Sequence, residues 1–573
     1  MPTPQTTFAR AAPCSSAIAV RRSRHSGSPY IHAADAASRI AASAAGDGPK
    51  TLSLAPIRAA KGRPSARSSA SGPTNGTVLG SAPTTAVRGG VGRTGASCQP
   101  RLRCAIERNH DREEWHVAVA ERREVDRERL GDLLARERAA FAAAHPVSRE
   151  LAARAAEHMI GGVPMQWMEI WVGQHPVFFR TATGNRIADV DGNELLDFCL
   201  GDTGAMAGHS PAATVAAVQR RLGELGGATT MLPTEDAIWV ADELARRFGV
   251  PKWTFALTAT DANRWVLRTC RQLTGRARVL VFNYCYHGSV DETILALEDG
   301  VPRRKPGNVG PAVDPVETTR ICEFNDLAAL ERELAHGDVA CVLAEPALTN
   351  MGIVLPDPGY WEAATRLIRD AGAYLVIDET HTFSMGWGGC TRAWGLDPDA
   401  VVIGKSIAGG VPIGAYGVSA EIDRLIHEDP AGDYVDTGGV GGTLAGNALS
   451  LAAARGTLEH VLTEAAFARM TALGARMLAG MQDVIDRHGL PWVVAGVGAR
   501  AEFRFCAAMP RNGGESHAAH DDEVEEWLHL VTLNNGILIT PFHNMCLICP
   551  DTTADDVERL LAVLDAAAAE LMA

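Results

Sequence analysis

Lys405 follows the apolar run Ala400–Ile403 after a single glycine and opens the flexible stretch Ser406-Ile407-Ala408-Gly409-Gly410. A lysine amine placed there can capture a carbonyl carbon and later carry a proton. Three further apolar runs end in polar groups. Residues 374–377 reach the acids Asp378-Glu379, Val339–Ala344 leads into Glu345-Pro346, and Arg278–Phe282 is followed within a few residues by Tyr286-His287-Gly288. Runs this short, bounded by helix-like segments such as 358–371, read as buried parallel strands. Ligands of a doubly wound sheet bind beyond the carboxyl ends of its strands. The four motifs are therefore expected to converge on one crevice.

Thr258-Ala259-Thr260-Asp261-Ala262-Asn263 runs into a helix-like stretch expected over 262–273. The N–H groups at such a helix start attract a phosphate dianion, although a plain helix cap by Thr260 or Asp261 explains the same residues. A glycine-rich loop over 438–447 adds the hydroxyl of Thr443. An amine, an acid and a phosphate cradle are what pyridoxal 5'-phosphate (PLP) requires of a protein. In that reading Lys405 holds the aldehyde, Asp378 keeps the pyridine nitrogen protonated, and Thr258, Ala259 and Thr260 take the phosphate.

The ordered set resembles the class III, fold-type I PLP-dependent aminotransferases, and within them the glutamate-1-semialdehyde aminomutase-like subgroup. The resemblance runs from about residue 152 to the end of the chain. It rests on Asp191-Gly192-Asn193-Glu194-Leu195-Leu196-Asp197-Phe198, Gly208-His209-Ser210-Pro211, Tyr286-His287-Gly288, Glu345-Pro346, Asp378-Glu379, Gly404-Lys405 and Gly442-Thr443-Leu444-Ala445-Gly446-Asn447. It implies an α/β fold: a large domain with a mainly parallel seven-stranded sheet, and a small α+β C-terminal domain. It implies that Lys405 is the Schiff-base lysine, that Asp378 faces the pyridine nitrogen, that Tyr286, beside His287, stacks on the ring, and that Glu345 orients the site. Ala259 and Thr260 would bind the phosphate, and Thr443 would reach the phosphate of a second subunit in a homodimer. The implied reaction moves an amino group between an amine or amino acid and a carbonyl compound. Intramolecular 2,1-amino transfer on a semialdehyde is the alternative, and a catalytically silent PLP-binding assembly or regulatory protein is an alternative of another class.

Two departures from the family pattern bear on substrate. Thr380 stands where a small apolar residue usually lies against the ring, and His381 follows it as a satisfied polar neighbour. In the segment 161–171 there is no arginine to grip a substrate carboxylate, and none occurs between Arg154 and Arg180. Met165, Trp167, Met168 and Trp171 offer an apolar surface instead, equally suited to core packing and to the wall of a pocket for a bulky apolar substrate. Arg504, in the strand-like segment 501–505, is a candidate carboxylate anchor.

The expected organisation is a leader over 1–108, an N-terminal helical segment with leading strands over 109–190, the PLP-binding large domain over 191–446 and the small domain over 447–573. The leader is rich in Ala, Ser, Gly, Pro and Arg, with Asp35, Asp47 and Glu107 its only acids. It lacks the apolar periodicity that offsets ordering entropy. A transit peptide and a reading frame begun too far upstream are both readings of it, the second preferred. A charged helix is expected over about 111–144, broken at His145-Pro146. The net charge of -14 argues against nucleic-acid or anionic-membrane binding, and no run is apolar for long enough to span a bilayer. Twelve cysteines without framework spacing point to reduced thiols in a cytoplasmic enzyme. Cys546 and Cys549 read as packing rather than a redox pair, and no residue is assigned to a metal.

Overall fold

The computed structural model describes residues 122–429, 439–541 and 543–573. The expectation for residues 1–108 lies outside them. Asp126 caps the first helix, Arg127–Ala144, by accepting from the N–H groups of Glu128 and Arg129. Residues 122–126 are therefore not helical, and the helix begins later than its charge pattern suggests. Pro146 ends it and opens a second helix, Pro146–Ala155, at a position where a missing N–H costs nothing. Asp191, from the motif that follows the second strand, holds this helix start by accepting from Val147 N at 2.6 Å and Ser148 N at 3.0 Å.

Strands β1 (Phe179–Thr183), β2 (Arg186–Asp189) and β3 (Glu194–Asp197) form an antiparallel meander. The main sheet draws on β4 (Lys252–Ala256) and β5 (Arg278–Phe282); a separate hairpin follows, β6 (Leu295–Glu298) and β7 (Val301–Arg304). Its remaining strands are β8 (Thr319–Cys322), β9 (Val339–Ala344), β10 (Tyr374–Asp378), β11 (Ala400–Ile403) and β12 (Gly414–Val418). Their spatial order is β4-β12-β11-β10-β9-β5-β8, and only β12 runs against the rest. The four apolar runs that end in polar motifs are thus four adjacent parallel strands, β11, β10, β9 and β5.

Burial on both faces explains their composition. Every residue of β9 and β11 is buried. Side chains alternate across a strand, so Val401 and Ile403 enter one hydrophobic core while Ala400 and Val402 enter the other. The C-terminal part contributes β13 (Val493–Val497), β14 (Arg500–Arg504), β15 (Ile537–Leu538) and β16 (Met545–Leu547). β13, β14 and β16 pair antiparallel, whereas β15 joins β3 in parallel. The helix Ala448–His460 lies past residue 447, yet it packs on the helices Ala212–Arg220 and Glu235–Phe248. Cys546, on β16, and Cys549 are buried free thiols. Among the described residues no helix is long and apolar enough to cross a membrane.

Candidate active site

Beyond the carboxyl ends of β11, β10, β9 and β5 lies a cavity of about 470 Å³. Lys405, Asp378, Glu345, Tyr286, His287, Thr258, Ala259, Thr260 and Thr380 all line it. Lys405 leaves β11 through Gly404 with a left-handed backbone, φ 51°. Its Nζ donates to the Asp202 carboxylate at 2.6 Å and to the Asp202 carbonyl at 3.0 Å, and meets His381 Nε2.

Asp378 ends β10 and is 4% exposed. Its Oδ2 accepts from Asn263 Nδ2 at 2.9 Å and pairs with His287 Nδ1 at 3.0 Å, while Oδ1 accepts from Thr380 N at 3.1 Å. Burial alone would push this carboxyl up, but the hydrogen bond and charge of His287 hold it below its ordinary value. Glu379 points elsewhere. Its carboxylate accepts from the hydroxyls of Thr382 and Thr391, each at 2.6 Å, and from Cys390 N, stapling the following loop.

The cap of the helix Ala259–Thr274 is Thr258, whose side chain accepts from Asp261 N at 3.1 Å. The helix therefore starts three residues before the expected 262, and neither Thr260 nor Asp261 is its cap. Two glycines bring neighbours against this turn. A Cβ on Gly288 would stand 2.0 Å from Thr260 Oγ1, and one on Gly414 would stand 2.3 Å from the Thr258 backbone. The turn thus packs directly on the segment carrying Tyr286 and His287, with the first N–H groups of a long helix at the cavity.

Trp167 lines the same cavity, its ring 5.3 Å from that of Tyr286. Trp171 is half-buried and does not line it. Arg504 is buried on β14, donating to the Ser516 carbonyl, and is also absent from the lining. Thr443 is exposed, in the turn before the helix Ala448–His460, whose cap is Asn447. Among the described residues no arginine lines the cavity, and Lys405 is its one ammonium group.

The cavity offers an amine, a buried carboxylate, a helix start, aromatic walls and, among the described residues, the buried, unpartnered hydroxyl of Thr380. These residues fit a flat, phosphate-bearing aldehyde such as PLP. The model of aminotransferase class-III matches residues 168–567. The chain belongs to the class-III aminotransferases. This enzyme has the fold of its solved relatives. A glutamate-1-semialdehyde-aminomutase from Pseudomonas aeruginosa PAO1 is 45% identical over 78% of this chain and 99% of its own, with a TM-score of 0.74. An omega-transaminase from Sphaerobacter thermophilus is 26% identical over 74% and 98%, with a TM-score of 0.68. The glutamate-1-semialdehyde 2,1-aminomutase of Anaeromyxobacter sp. (strain Fw109-5) is 31% identical over 433 residues, 74% of this chain and 98% of the relative.

Three residues of this aminotransferase escaped the sequence reading. Asn263 lies one turn into the helix whose start was noticed. His381 was read only as a satisfied neighbour, yet it touches the Lys405 amine. Asp202 sits in a loop held by Asp197, which accepts from Cys199 N and Leu200 N at 2.8 Å each and pairs with His209 Nε2 at 2.7 Å. Burial would push the Asp202 carboxyl up, but the charges of Lys405 and Arg500 hold it well below the carboxylate range. The signal that could have found it is an acid inside a glycine-rich loop between two family motifs.

Proposed function

We propose that this class-III enzyme uses PLP to move an amino group from an amine with an apolar or aromatic substituent to a carbonyl acceptor. The observation that carries the reading is the lining of the cavity: Lys405 and Asp378 face it together, Trp167 and Tyr286 wall it, and among the described residues no arginine is there to hold a carboxylate. Bound PLP supplies an aldehyde that takes up the donor's nitrogen and a ring that withdraws electrons. Asp378 holds a proton on the pyridine nitrogen, its own orientation fixed by Asn263 and His287. Thr258, Ala259 and Thr260 bind the phosphate through hydroxyl and N–H groups at the helix start. Tyr286 would lie against the ring, and Trp167 beside it would keep water from the donor's substituent. Lys405 Nζ would accept the proton taken from the donor carbon and hold it for return.

The enzyme acts as a cytoplasmic homodimer, with the exposed Thr443 of each subunit completing the phosphate site of the other. Mixing Lys405→Ala with Thr443→Ala protein creates, on subunit exchange, one site with both lesions and one with neither. Activity should return, and its absence despite verified exchange counts against the shared site. A second reading, 2,1-amino transfer on glutamate-1-semialdehyde, draws support from the names of the Pseudomonas and Anaeromyxobacter relatives. A donor panel followed by the absorbance change as bound PLP becomes pyridoxamine phosphate separates the two. Faster turnover of the semialdehyde than of every arylalkyl amine would promote the second.

A further inference from the structure

A continuous line of hydrogen bonds leads from the Lys405 amine to a carboxylate just past the end of β9. Lys405 Nζ meets His381 Nε2, and His381 Nδ1 lies 2.8 Å from Thr349 Oγ1. Thr349 Oγ1 donates to Glu345 Oε2. Glu345 Oε1 accepts from Tyr286 N at 3.2 Å. The partners fix the direction of every proton. An ammonium can only donate, so Nε2 accepts and Nδ1 carries the hydrogen. Thr349 then accepts from Nδ1 and gives its own hydrogen to Glu345.

The line is built into the fold. Glu345 follows β9, and the loop carrying Thr349 is held as a narrow hairpin, with Leu348 and Val354 exchanging N–H to carbonyl bonds at 3.0 and 2.9 Å. Thr349 is fully buried, with His381 and Glu345 nearly so, which shields the link from His381 to Glu345 from bulk water. Lys405, His381 and Glu345 all line the cavity. The groups facing His381 are Lys405, Asp202, Arg500, His543 and Thr349, and burial with the Lys405 charge keeps the imidazole neutral. Glu345 faces His287, Asp378, Thr349 and Tyr286 N, with the Arg500 and Lys305 charges also acting on it, and burial raises its carboxyl above the ordinary value.

We infer that His381, Thr349 and Glu345 form a proton wire that sets the protonation of the free Lys405 amine, a role that rests on Lys405 being the base of the proposed reaction. In one passage a Lys405 Nζ–H bond breaks and a bond to His381 Nε2 forms. The Nδ1–H bond breaks and a Thr349 O–H bond forms, while the original Thr349 hydrogen passes to Glu345 Oε2. Lys405 is left neutral with its lone pair free, His381 is neutral with its hydrogen on the other nitrogen, and Glu345 is protonated. The total charge of the four groups is unchanged and no electrons are transferred. The reverse passage recharges the amine.

The test compares Thr349→Val, which keeps the shape and removes the hydroxyl, with Thr349→Ser, which keeps the hydroxyl. Full-length enzyme loaded with pyridoxamine phosphate, in which Lys405 is a free amine, is trace-labelled with acetic anhydride across pH, and the Lys405 peptide is quantified by mass spectrometry. In Thr349→Val the imidazole hydrogen loses its acceptor and settles on Nε2, so Lys405 loses an acceptor of its own. The labelling midpoint should move to lower pH. The rate of a single half-reaction should fall on the order of 10²-fold, the low end for general acid–base groups. Thr349→Ser should match the wild type in both. A midpoint or a rate that stays at the wild-type value in Thr349→Val overturns the wire, as does loss of both in Thr349→Ser. If Thr349→Val does not fold, Glu345→Gln serves, because an amide cannot take the proton; an undiminished half-reaction rate there also overturns it. Lys405→Ala is measured alongside. Turnover by that variant removes the underlying reading and the wire together, whereas a dead Lys405→Ala with a fully active Thr349→Val removes the wire alone.

Discussion

Replacing Trp167 by alanine separates a pocket wall from a core residue. Trp167 is 37% exposed, on the short helical turn Gln166–Glu169, and lines the cavity beside Tyr286. A tryptophan can bury roughly 150–250 Å², so about a third of it, roughly 50–90 Å², is left for a bound donor to cover. At about 25 cal/mol per Å² that contact contributes about 1.3–2.3 kcal/mol, or roughly 10- to 50-fold in kcat/KM for an arylalkyl amine. A small polar donor covers little of the ring and should lose much less. Because the side chain is already partly in water, Tm should fall far less than for a fully buried aromatic, whose loss costs on the order of 3–5 kcal/mol. The assay is kcat/KM for an arylalkyl amine and for glutamate-1-semialdehyde, with a thermal melt on the same samples. Equal losses for both donors, or a large fall in Tm with donor preference unchanged, would refute the pocket-wall argument. Trp171→Ala, outside the lining, is the control and should leave the ratio of the two donors near its wild-type value.

Borohydride reduction of the PLP-loaded enzyme followed by tryptic mapping should place the pyridoxyl group on Lys405, and Lys405→Ala should abolish turnover; an adduct on another lysine would contradict the assignment. Asp378→Asn should fold and still bind PLP but lose on the order of 10²–10⁴-fold in turnover, the span of acid–base contributions; near-normal activity would move the role to another acid, and Glu379 is already occupied by its loop. Glu502→Gln should stabilise the protein in a pH-dependent way. Among the described residues neither Glu502 oxygen has a hydrogen-bond partner, and burial pushes the carboxyl from 4.5 up to about 8 despite Arg504 and Arg500. The native state therefore holds a proton that the unfolded chain has released, and stability is lost as pH rises from 4.5 towards about 8. The Tm advantage of the variant should grow across that window and level off above it, and an advantage independent of pH would disprove the argument.

The strands were legible because burial on both faces leaves only short apolar runs, and a polar residue ending each run marks where the sheet meets the cavity. Lys405, Asp378, Glu345 and Tyr286 came from that pattern and from the family motifs. Asp202 did not, because the loop 198–209 has no period: Leu200, Asp202 and Thr203 all adopt positive φ, a conformation no hydrophobic pattern announces. Trp167 and Trp171 are four apart and would share one face of an α-helix. The chain there makes only a single 3-10 turn, so the two rings part company. Arg504 shows a similar limit, since alternation along β14 gives a strand face but not what the face meets. The turn at 258–260 does line the cavity, yet its cap is Thr258 rather than Thr260 or Asp261, because all three are good capping residues and only the backbone chooses among them.

The left-handed backbone at Lys405 is held in place by the same ion pair that fixes its amine. A side chain in that conformation costs roughly 1–2 kcal/mol that glycine does not incur. Lys405→Gly would relieve that strain but strand the Asp202 carboxylate, 2.6 Å from the lost ammonium, and a shielded carboxylate left without its partner costs more than the strain relieved. Heat resistance and chemistry therefore select the same residue here, and engineering for rigidity belongs away from the 404–410 turn.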